Sequence, residues 1–556
     1  MKPWHAHYDP GVPHEIQVPE KPLWSILEES ARTYANQVAL DFLGKTLSYR
    51  EVWDLALRFA QGLKALGVRP GDRVALMLPN TPQFVIAFYG TLAAGAVGVS
   101  VNPLYTPREL RHQLVDAGAK VLVLLDQLWP RYAEIEDEVP VERVVTTGIR
   151  EYLPFPLNLL YPLKARREGT WVNLPPHERR VPFQDLLKNP RATPHPAKGD
   201  ELALLQYTGG TTGLSKGAML THKNLLANVL QIEAWDPTSG ELKGKGVMLG
   251  ALPFFHVYGM TVAMNFGLRS GYKIVLLPRP EIKAIVEAIE KHQVTHFPGV
   301  PTLYVAFNRF PGIEGRKVNS IRICLSGAAP LPVEVAKEFE RITGARLIEG
   351  YGLSEASPVT HSNPVLGEIR KGSIGLPLPS VDAKVVDEEG NEVPIGEVGE
   401  LIVQGPNVMQ GYWNRPEETQ KALKNGWLYT GDMARMDPDG YFYIVDRKKD
   451  LIIAGGYNIY PREIEEVLYQ HEAVQEAAVI GVPDPYRGET VAAFIVLKEE
   501  YKGKVTKEDL ERFCRANLAA YKVPRIIEFK DALPKSAVGK ILRRELRDEM
   551  AKALKQ

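Results

Sequence analysis

Short, continuous apolar runs recur through the first four hundred residues, and segments with helical spacing lie between them. RVALML (73–78), KVLVLL (120–125) and KIVLL (273–277) are such runs. They lack the polar alternation of a strand with one solvated face, so they indicate strands buried on both faces. Such strands belong to parallel sheets that helices cover. The pattern predicts an α/β fold, with layered sheets in a large N-terminal domain.

One uncharged stretch, residues 84–101, has about the length that spans a bilayer. Pro82 can open a helix that ends near Gly95, and VGVSV (97–101) then has the character of a strand. We therefore predict a buried helix and strand here rather than a membrane span.

The pattern changes near Ser380, where short strand-like segments and turns replace the long helices. This change predicts a small strand-rich subdomain at about 380–445. A charged run, Arg447–Asp450, separates it from a further α/β unit. We predict an N-terminal domain at 1–446 and a small C-terminal domain at 447–556.

Composition excludes several classes of protein. The 556 residues carry 67 basic and 67 acidic side chains, which argues against a nucleic-acid partner. Two cysteines, Cys324 and Cys514, are too few for a disulfide framework and fit a reducing compartment. The first residues are polar and contain no apolar core of a secretory signal. We expect a cytoplasmic location.

A loop rich in glycine and hydroxyl groups follows the apolar run LALLQY (202–207). Glycines let backbone N–H groups approach an anion closely, hydroxyls add donors, and a lysine adds positive charge. The spacing is not that of a Walker A loop, and the chain has no G-x-G-x-x-G. We predict that this loop binds polyphosphate through Thr208, Gly209, Gly210, Thr211, Thr212, Gly213, Ser215 and Lys216.

The same loop permits a different interpretation. Gly213–Gly217 also matches G-x-S-x-G, the nucleophile elbow of serine hydrolases. That elbow requires the serine at a tight turn between a strand and a helix, whereas several small residues intervene here.

Four further strings complete a pattern with the loop. They are YGLSE (351–355), YTGD (429–432), DRKKD (446–450) and PKSAVGK (534–540). In this order they resemble the adenylate-forming superfamily of acyl-CoA synthetases, adenylation domains and luciferases. Within it the chain is most similar to bacterial long-chain fatty acid–CoA ligases, for example in VNPLYTPREL (101–110) and DRKKDLI (446–452). The resemblance covers essentially the whole chain.

This resemblance implies a reaction in two steps. A fatty acid carboxylate attacks the α-phosphorus of ATP to give acyl-AMP and pyrophosphate. The mobile C-terminal domain then rotates, and the thiol of CoA displaces AMP. ATP, CoA and Mg²⁺ are the implied co-substrates and cofactor.

The resemblance also assigns roles to residues of this chain. Glu355, with Thr211, would hold Mg²⁺, which prefers few carboxylates plus phosphate oxygens. Asp432 would accept hydrogen bonds from the ribose hydroxyls, and Arg447 would complete that contact. Tyr351 would pack on the adenine. The remaining nucleotide contacts would come from Gly327, Ala328, Glu349, Gly350, Gly352 and Ser354, where the family usually has threonine instead of Ser354.

Two cations and a histidine would act on the reacting groups. Lys540 would catalyse adenylation, because two anionic reactants need a positioned cation. His256 would orient the carboxylate, although a lone histidine among aromatic residues is also a common core residue. Lys449 would be the hinge of the C-terminal domain. Gly455 and Gly456 would let the thiol arm of CoA pass closely.

The sequence says less about which acid is bound and about whether the protein contacts a membrane or a second copy of itself. Candidate pocket walls are Phe254, Phe255, Tyr258, Met260 and residues 297–304. Residues 151–168 combine an apolar stretch with three cations, which predicts peripheral contact with the inner face of the membrane, or else a buried insertion. Three prolines in this segment argue against a continuous helix. Homodimerisation is an expectation from the family.

Other functions stay open at this point. The chain could adenylate another carboxylic acid or transfer it to another thiol acceptor. It could also be a non-catalytic nucleotide sensor, against which the intact Glu355, Asp432, Arg447 and Lys540 argue. Oxidation of the luciferase type is compatible with the same motifs.

Overall fold

The predicted apolar runs form the centre of a seven-stranded sheet. The computed structural model describes residues 1–208 and 215–555. Neighbouring strands of this sheet are parallel except for the last pair, which forms an antiparallel hairpin. In spatial order the strands are Arg180–Pro182, Arg143–Thr147, Ala119–Leu125, Arg73–Met77, Val97–Ser100, Leu202–Thr208 and Lys216–Thr221.

A second layer contains two four-stranded groups. Isolated bridges at His296, to Met248 and Ile323, link the groups. The first group runs in the order Val247–Gly250, Lys273–Leu276, Val38–Phe42 and Lys45–Ser48. The second runs in the order Ile323–Ser326, Arg346–Gly352, Val359–Ser362 and Leu376–Pro377.

Helices cover these sheets, as the apolar runs require. The Ser48 hydroxyl accepts the Glu51 N–H and so caps the Tyr49–Ala65 helix. The Pro82–Ala93 helix is buried throughout and is followed by the Val97–Ser100 strand, as predicted. Other α-helices up to residue 422 are Ser25–Thr33, Pro107–Ala117, Trp129–Ala133, Leu157–Arg167, Phe183–Leu186, His222–Trp235, Ser239–Leu242, Phe266–Arg269, Ile282–His292, Pro301–Asn308, Val333–Thr343 and Pro416–Ala422.

The strand-rich section is a five-stranded antiparallel sheet. Its strands are Asp382–Val386, Gly399–Gln404, Leu423–Lys424, Trp427–Met436 and Phe442–Arg447. The predicted boundary between 1–446 and 447–556 falls at the end of the last strand and stays a prediction.

The C-terminal unit is a smaller α/β layer. Its sheet contains Ile452–Ala454, Tyr457–Ile459, Val474–Asp484, Gly488–Leu497 and Ile526–Phe529. Its helices are Pro461–Tyr469, Lys507–Asn517 and Arg543–Lys555. The prediction of a large N-terminal α/β part with a small α/β C-terminal part is therefore confirmed.

The first residues of the chain pack on the strand-rich sheet far along the sequence. Trp4 is buried against Phe442, and its backbone lies so close to Gly440 that a Cβ there would approach the Trp4 N atom to 2.6 Å. The Tyr8 hydroxyl donates to the carbonyl of Pro377, and Lys2 pairs with Asp382 at 3.0 Å. This segment therefore joins the beginning of the chain to residues 377–442.

Residues 151–168 differ from the prediction in one respect, because a helix forms at Leu157–Arg167 although Pro162 lies inside it. Pro162 has no N–H to donate to the carbonyl of Asn158. Arg150 Nε donates to that carbonyl instead, at 2.7 Å. The alternative of a buried insertion is wrong, since Phe155 is 78% and Leu163 66% exposed.

Membrane spans were sought among the helices of 1–208 and 215–555. None of them has the combined length and apolar character that crossing a bilayer requires.

Candidate active site

The predicted phosphate loop connects the two strands of the hairpin at the edge of the seven-stranded sheet. Thr208 and Lys216 are paired across the hairpin. Gly209, Gly210, Thr211, Thr212 and Gly213 lie outside the described residues. Ser215 comes directly before a strand and not before a helix. The serine-hydrolase interpretation is therefore wrong, because the nucleophile elbow needs a strand–turn–helix.

Glu355, the predicted metal ligand, lies in a short 3-10 turn, Ser354–Ala356. The Tyr412 hydroxyl donates to Glu355 Oε1 at 3.3 Å, and burial raises the pKa of the carboxyl group. Lys216 Nζ lies 4.5 Å from the centre of the Tyr412 ring. Tyr412 thus links the glutamate to the cation of the phosphate loop.

Sequence reasoning did not single out Tyr412. The string GYWNRPE (411–417) contains it, but an aromatic residue in a turn gives no chemical signal by itself. The contact arises because the 409–413 segment runs beside 217–219, where Met219 N–H donates to the carbonyl of Gly411.

Asp432, the predicted ribose ligand, is buried and contacts both other predicted partners. The Tyr351 hydroxyl donates to Asp432 Oδ2 at 2.5 Å. Arg447 Nε lies 3.2 Å from Asp432 Oδ1, across the paired strands that carry the two residues. The structure therefore brings Tyr351, Asp432 and Arg447 together.

The turn that starts at Ser326 is predicted to contact the nucleotide through its backbone, and its conformation is unusual. Ala328 has a φ of +69°, which non-glycine residues rarely adopt. Gly327 lies directly on the ring of Tyr258, so that a Cβ there would be 2.3 Å from Tyr258 Cε2. The Tyr258 hydroxyl is fixed by the carbonyls of Gly299 and Leu325, at 3.0 and 2.8 Å.

The strand Arg346–Gly352 carries Glu349, Gly350 and Gly352 beside this turn. Glycine is required at 352, where a Cβ would lie 2.3 Å from the carbonyl oxygen of Pro358. The Glu349 side chain points toward residues 331 and 462, and burial raises its pKa to about 7. Its Oε1 accepts the Leu331 N–H at 3.2 Å.

Lys540 reaches the same region from the C-terminal unit. Gly539, with a φ of +78°, precedes it and accepts a hydrogen bond from Thr302 Oγ1 at 3.0 Å. Burial, together with the charge of Arg447, lowers the pKa of Lys540 to about 8, and the nearby charge of Asp432 opposes this shift. The site therefore contains a cation close to the Asp432–Arg447 pair.

His256 lies near enough to Lys540 to be affected by its charge. Burial is the main cause that lowers the pKa of His256 to about 4, and the Lys540 charge adds to it. His256 Nδ1 accepts the Tyr258 N–H at 3.2 Å. The imidazole is therefore neutral at physiological pH, which fits an orienting role better than that of a base.

The predicted hinge and thiol-path residues lie at the edge of the C-terminal unit. Lys449 is in the turn after the Phe442–Arg447 strand, and burial lowers its pKa. Gly455 and Gly456 form an exposed turn, with φ of +58° and +84°. In this arrangement the two glycines face solvent and not the Asp432 site.

Clusters of potential metal ligands were sought as well. Within the described part of the chain, three or more His, Cys, Asp or Glu side chains do not come together as a metal-binding group.

These features together define a class of protein. They are the α/β layers, the hairpin that carries the predicted phosphate loop, the buried Asp432 with its tyrosine and arginine, and a lysine from the C-terminal unit. The chain belongs to the AMP-binding enzyme family. The AMP-binding enzyme profile matches residues 27–413, and the profile of the C-terminal domain of AMP-binding enzymes matches residues 463–540.

Individual relatives narrow the class. A long-chain-fatty-acid–CoA ligase of Bacillus subtilis (strain 168) is 49% identical over 99% of this chain and 98% of its own length. A long-chain-fatty-acid–CoA ligase of Escherichia coli O6:H1 is 42% identical over the same shares. Among solved structures, ATP-bound MatB from Rhodopseudomonas palustris has a TM-score of 0.84 and 31% identity, covering 96% of this chain and 99% of that one.

Proposed function

We propose that this protein activates a long-chain fatty acid with ATP and transfers the acyl group to CoA. The full-length relatives named long-chain-fatty-acid–CoA ligase support the substrate class. The observation that carries the chemistry is that Lys540, from the C-terminal unit, shares its surroundings with Asp432 and Arg447. The proposed ribose ligand and a cation are therefore close together.

In the first step a carboxylate oxygen of the acid attacks the α-phosphorus of ATP, and the bond to pyrophosphate breaks. Asp432, with Arg447 and Tyr351, would hold the ribose, and the 326–330 turn would line the adenine. The Lys540 ammonium would stabilise negative charge that builds up between two anionic reactants. A neutral His256, whose Nδ1 accepts the Tyr258 N–H, carries its proton on Nε2 and would orient the carboxylate by donating a hydrogen bond to it.

In the second step the sulfur of CoA attacks the acyl carbon of acyl-AMP, and the bond to AMP breaks. The Gly455–Gly456 turn is exposed to solvent in the present arrangement. We infer that the C-terminal unit rotates about Lys449 to bring this turn to the acyl group.

Mg²⁺ fits the donor set around Glu355. The ion prefers one or two carboxylates together with phosphate oxygens, and Glu355 supplies one half-buried carboxylate. Thr211, the second proposed ligand, lies outside the described residues. When bound, the ion would neutralise charge on the phosphates of ATP.

The acyl chain requires an apolar pocket close to His256. Phe254, Tyr258 and Met260 are buried next to it, and Phe297 and Tyr304 belong to the adjoining core. These side chains suit a hydrocarbon chain but do not define its length. Activation of another carboxylic acid, or transfer to another thiol acceptor, is therefore the alternative function.

Half-reactions of the purified protein test the proposal. With ATP, Mg²⁺, palmitate and CoA we expect pyrophosphate, AMP and palmitoyl-CoA, and a panel of octanoate, laurate and oleate would define the chain length. Lys540→Ala should lose pyrophosphate release but still convert supplied palmitoyl-AMP and CoA to the thioester. Pyrophosphate without a thioester would indicate another acceptor. If the protein binds ATP but releases no pyrophosphate with any acid, the result would favour a non-catalytic nucleotide sensor.

We also propose that the Leu157–Arg167 helix contacts an anionic lipid surface. Phe155, Leu159, Leu160 and Leu163 are between 53% and 78% exposed. Lys164, Arg166 and Arg167 follow on the same helix and would attract anionic head groups. A cluster of exposed apolar side chains beside cations is what interfacial segments present to a membrane.

Vesicle sedimentation at low salt tests this contact. The protein should sediment with phosphatidylglycerol vesicles and not with phosphatidylcholine vesicles, and L160S/L163S should reduce binding. Leu366→Ser is the matched control, because Leu366 is 55% exposed elsewhere on the surface. Equal binding of the double variant and the control would refute the proposal. Homodimerisation stays a prediction, which sedimentation velocity can test.

A further inference from the structure

The Pro461–Tyr469 helix of the C-terminal unit carries charged side chains that reach three different parts of the protein. They are Arg462, Glu465 and Glu466, of which the first two are buried. A cavity of about 70 Å³ lies beside them and is also lined by Lys540. Buried charges need specific partners, because desolvation is otherwise costly. The partners of these three side chains therefore show which parts of the protein the helix positions.

Arg462 contacts residues that precede the predicted boundary. Its Nη1 donates to the carbonyl of Ile444 at 2.7 Å, and its Nη2 donates to the carbonyl of Gly372 at 3.2 Å. Its backbone N–H donates to Asp446 Oδ2 at 3.0 Å. One side chain thus ties the C-terminal unit to two segments of the N-terminal part.

The same guanidinium faces Glu349. Arg462 Nη2 lies 3.7 Å from Glu349 Oε2, while Glu349 Oε1 accepts the Leu331 N–H. The Glu466 carboxylate faces the N–H of Val333, which opens the Val333–Thr343 helix. Both carboxylates therefore hold the end of the turn that starts at Ser326, which is the segment proposed to line the adenine.

The third side chain acts on the loop of the catalytic lysine. Glu465 Oε1 accepts hydrogen bonds from Arg543 Nη2 at 2.6 Å and from the Val479 N–H at 2.9 Å. Arg543 follows Lys540 by three residues, so the Glu465 contact fixes the loop relative to the helix. The orientation of the helix consequently determines the position of Lys540.

We propose that Arg462 is a positioning residue for adenylation, which holds the C-terminal unit in the orientation that brings Lys540 to the nucleotide. Through Glu349 it also fixes the adenine-lining turn. This inference rests on the proposed two-step function. Since the Gly455–Gly456 turn faces solvent here, transfer to CoA needs a second orientation, in which the contacts of Arg462 with Gly372 and Ile444 are broken.

Separate measurement of the two half-reactions tests this role. In Arg462→Gln, release of pyrophosphate with palmitate should fall by about 10- to 100-fold, because a displacement of about 1 Å can cost that much. Conversion of supplied palmitoyl-AMP and CoA should stay within about twofold of the wild type. Arg309→Gln is the matched control: it removes an exposed ion pair with Glu500 at 2.7 Å that also joins the two parts, and exposed pairs contribute little.

In these kinetics, an unchanged adenylation rate in Arg462→Gln would overturn the inference. An equal fall in both half-reactions would overturn it as well, because it would indicate a purely structural role. A second test does not depend on the identity of the substrate. Spin labels at Glu51→Cys and Lys504→Cys measure the distance between the N-terminal part and the C-terminal unit. Arg462→Gln should populate a second distance that the wild type lacks, and an unchanged distribution would also overturn it. Failure of the wild type to release pyrophosphate would instead refute the proposed function.

Discussion

The hydroxyl group of Tyr351 donates a hydrogen bond of 2.5 Å to Oδ2 of Asp432, while Arg447 contacts Oδ1 of the same carboxylate. The tyrosine predicted to pack on the adenine is therefore also a donor to the proposed ribose ligand. A buried carboxylate with a donor on each oxygen has a fixed orientation.

Removal of the Tyr351 hydroxyl should weaken nucleotide binding. In Tyr351→Phe, we expect the KM for ATP to rise by about tenfold or more, because a hydrogen bond to a charged group contributes about 1.5–3 kcal/mol. The KM for CoA should not change. Steady-state kinetics with each substrate varied measure both values, and Tyr486→Phe, at a residue that is 96% exposed, is the control. An ATP KM equal to that of the wild type would contradict this role.

Adenylation should decline in alkaline solution. The pKa of Lys540 is lowered to about 8, mainly by burial, and its ammonium form is the one proposed to stabilise the reacting phosphate. As the pH rises through 8 the cation is lost, so the proposed role of Lys540 predicts that kcat/KM for pyrophosphate release falls, since this parameter reports groups of the free enzyme.

The variant Lys540→Arg identifies the group responsible for that decline. Its guanidinium stays protonated, so the variant should be slower but should not lose activity near pH 8. A fall at the same pH in the wild type and in Lys540→Arg would assign the titration to another group.

Gly327 should not tolerate a side chain. In Gly327→Ala the new methyl group would lie 2.3 Å from Tyr258 Cε2, and the Tyr258 hydroxyl is held by two carbonyls. We expect a loss of about 1–3 kcal/mol in the free energy of unfolding, together with weaker ATP binding. Denaturant unfolding and calorimetric titration measure the two effects. Gly315→Ala, where a Cβ would meet no atom within 4 Å, should change neither.

The protein should lose stability in mild acid. Burial lowers the pKa of His222 and of His296 to about 4 and that of His361 to about 3. Between pH 6.5 and 4 the unfolded chain binds protons that the folded protein does not, so stability falls as the pH falls through this window. Each histidine can contribute about 3 kcal/mol to this loss.

A single replacement can test the assignment. His222 Nδ1 accepts the Leu23 N–H at 2.9 Å, and asparagine can offer a similar acceptor without titrating. Thermal unfolding of His222→Asn from pH 7 to 4.5 should therefore show a shallower decline than the wild type. Identical slopes would exclude His222 as a contributor.

Much of the fold and chemistry follows from local patterns. The buried strand at Ala119–Leu125 and the helix after Pro82 follow from continuous apolar runs and from the geometry of proline. The family assignment and the adenylate-forming ligase class follow from ordered motifs, and the comparisons confirm them. These features depend on residues that are close together in the sequence, so they can be predicted from the sequence of one chain.

The contacts that could not be predicted join residues distant in the sequence. Tyr412 reaches Glu355 because two segments run side by side, and Arg462 meets Glu349 and Gly372 across the two parts of the chain. No local pattern encodes such partners. The roles of the site residues stay predictions until they are measured.

The packing of Trp4 on Gly440 and Phe442 has a consequence for synthesis on the ribosome. Trp4 emerges early, but the surface that buries it is made more than four hundred residues later. At about 5–20 residues per second this delay is roughly 20–90 s. Throughout that interval Trp4 lacks the surface that buries it, so the segment that is made first reaches its final packing only after residue 442 has been made.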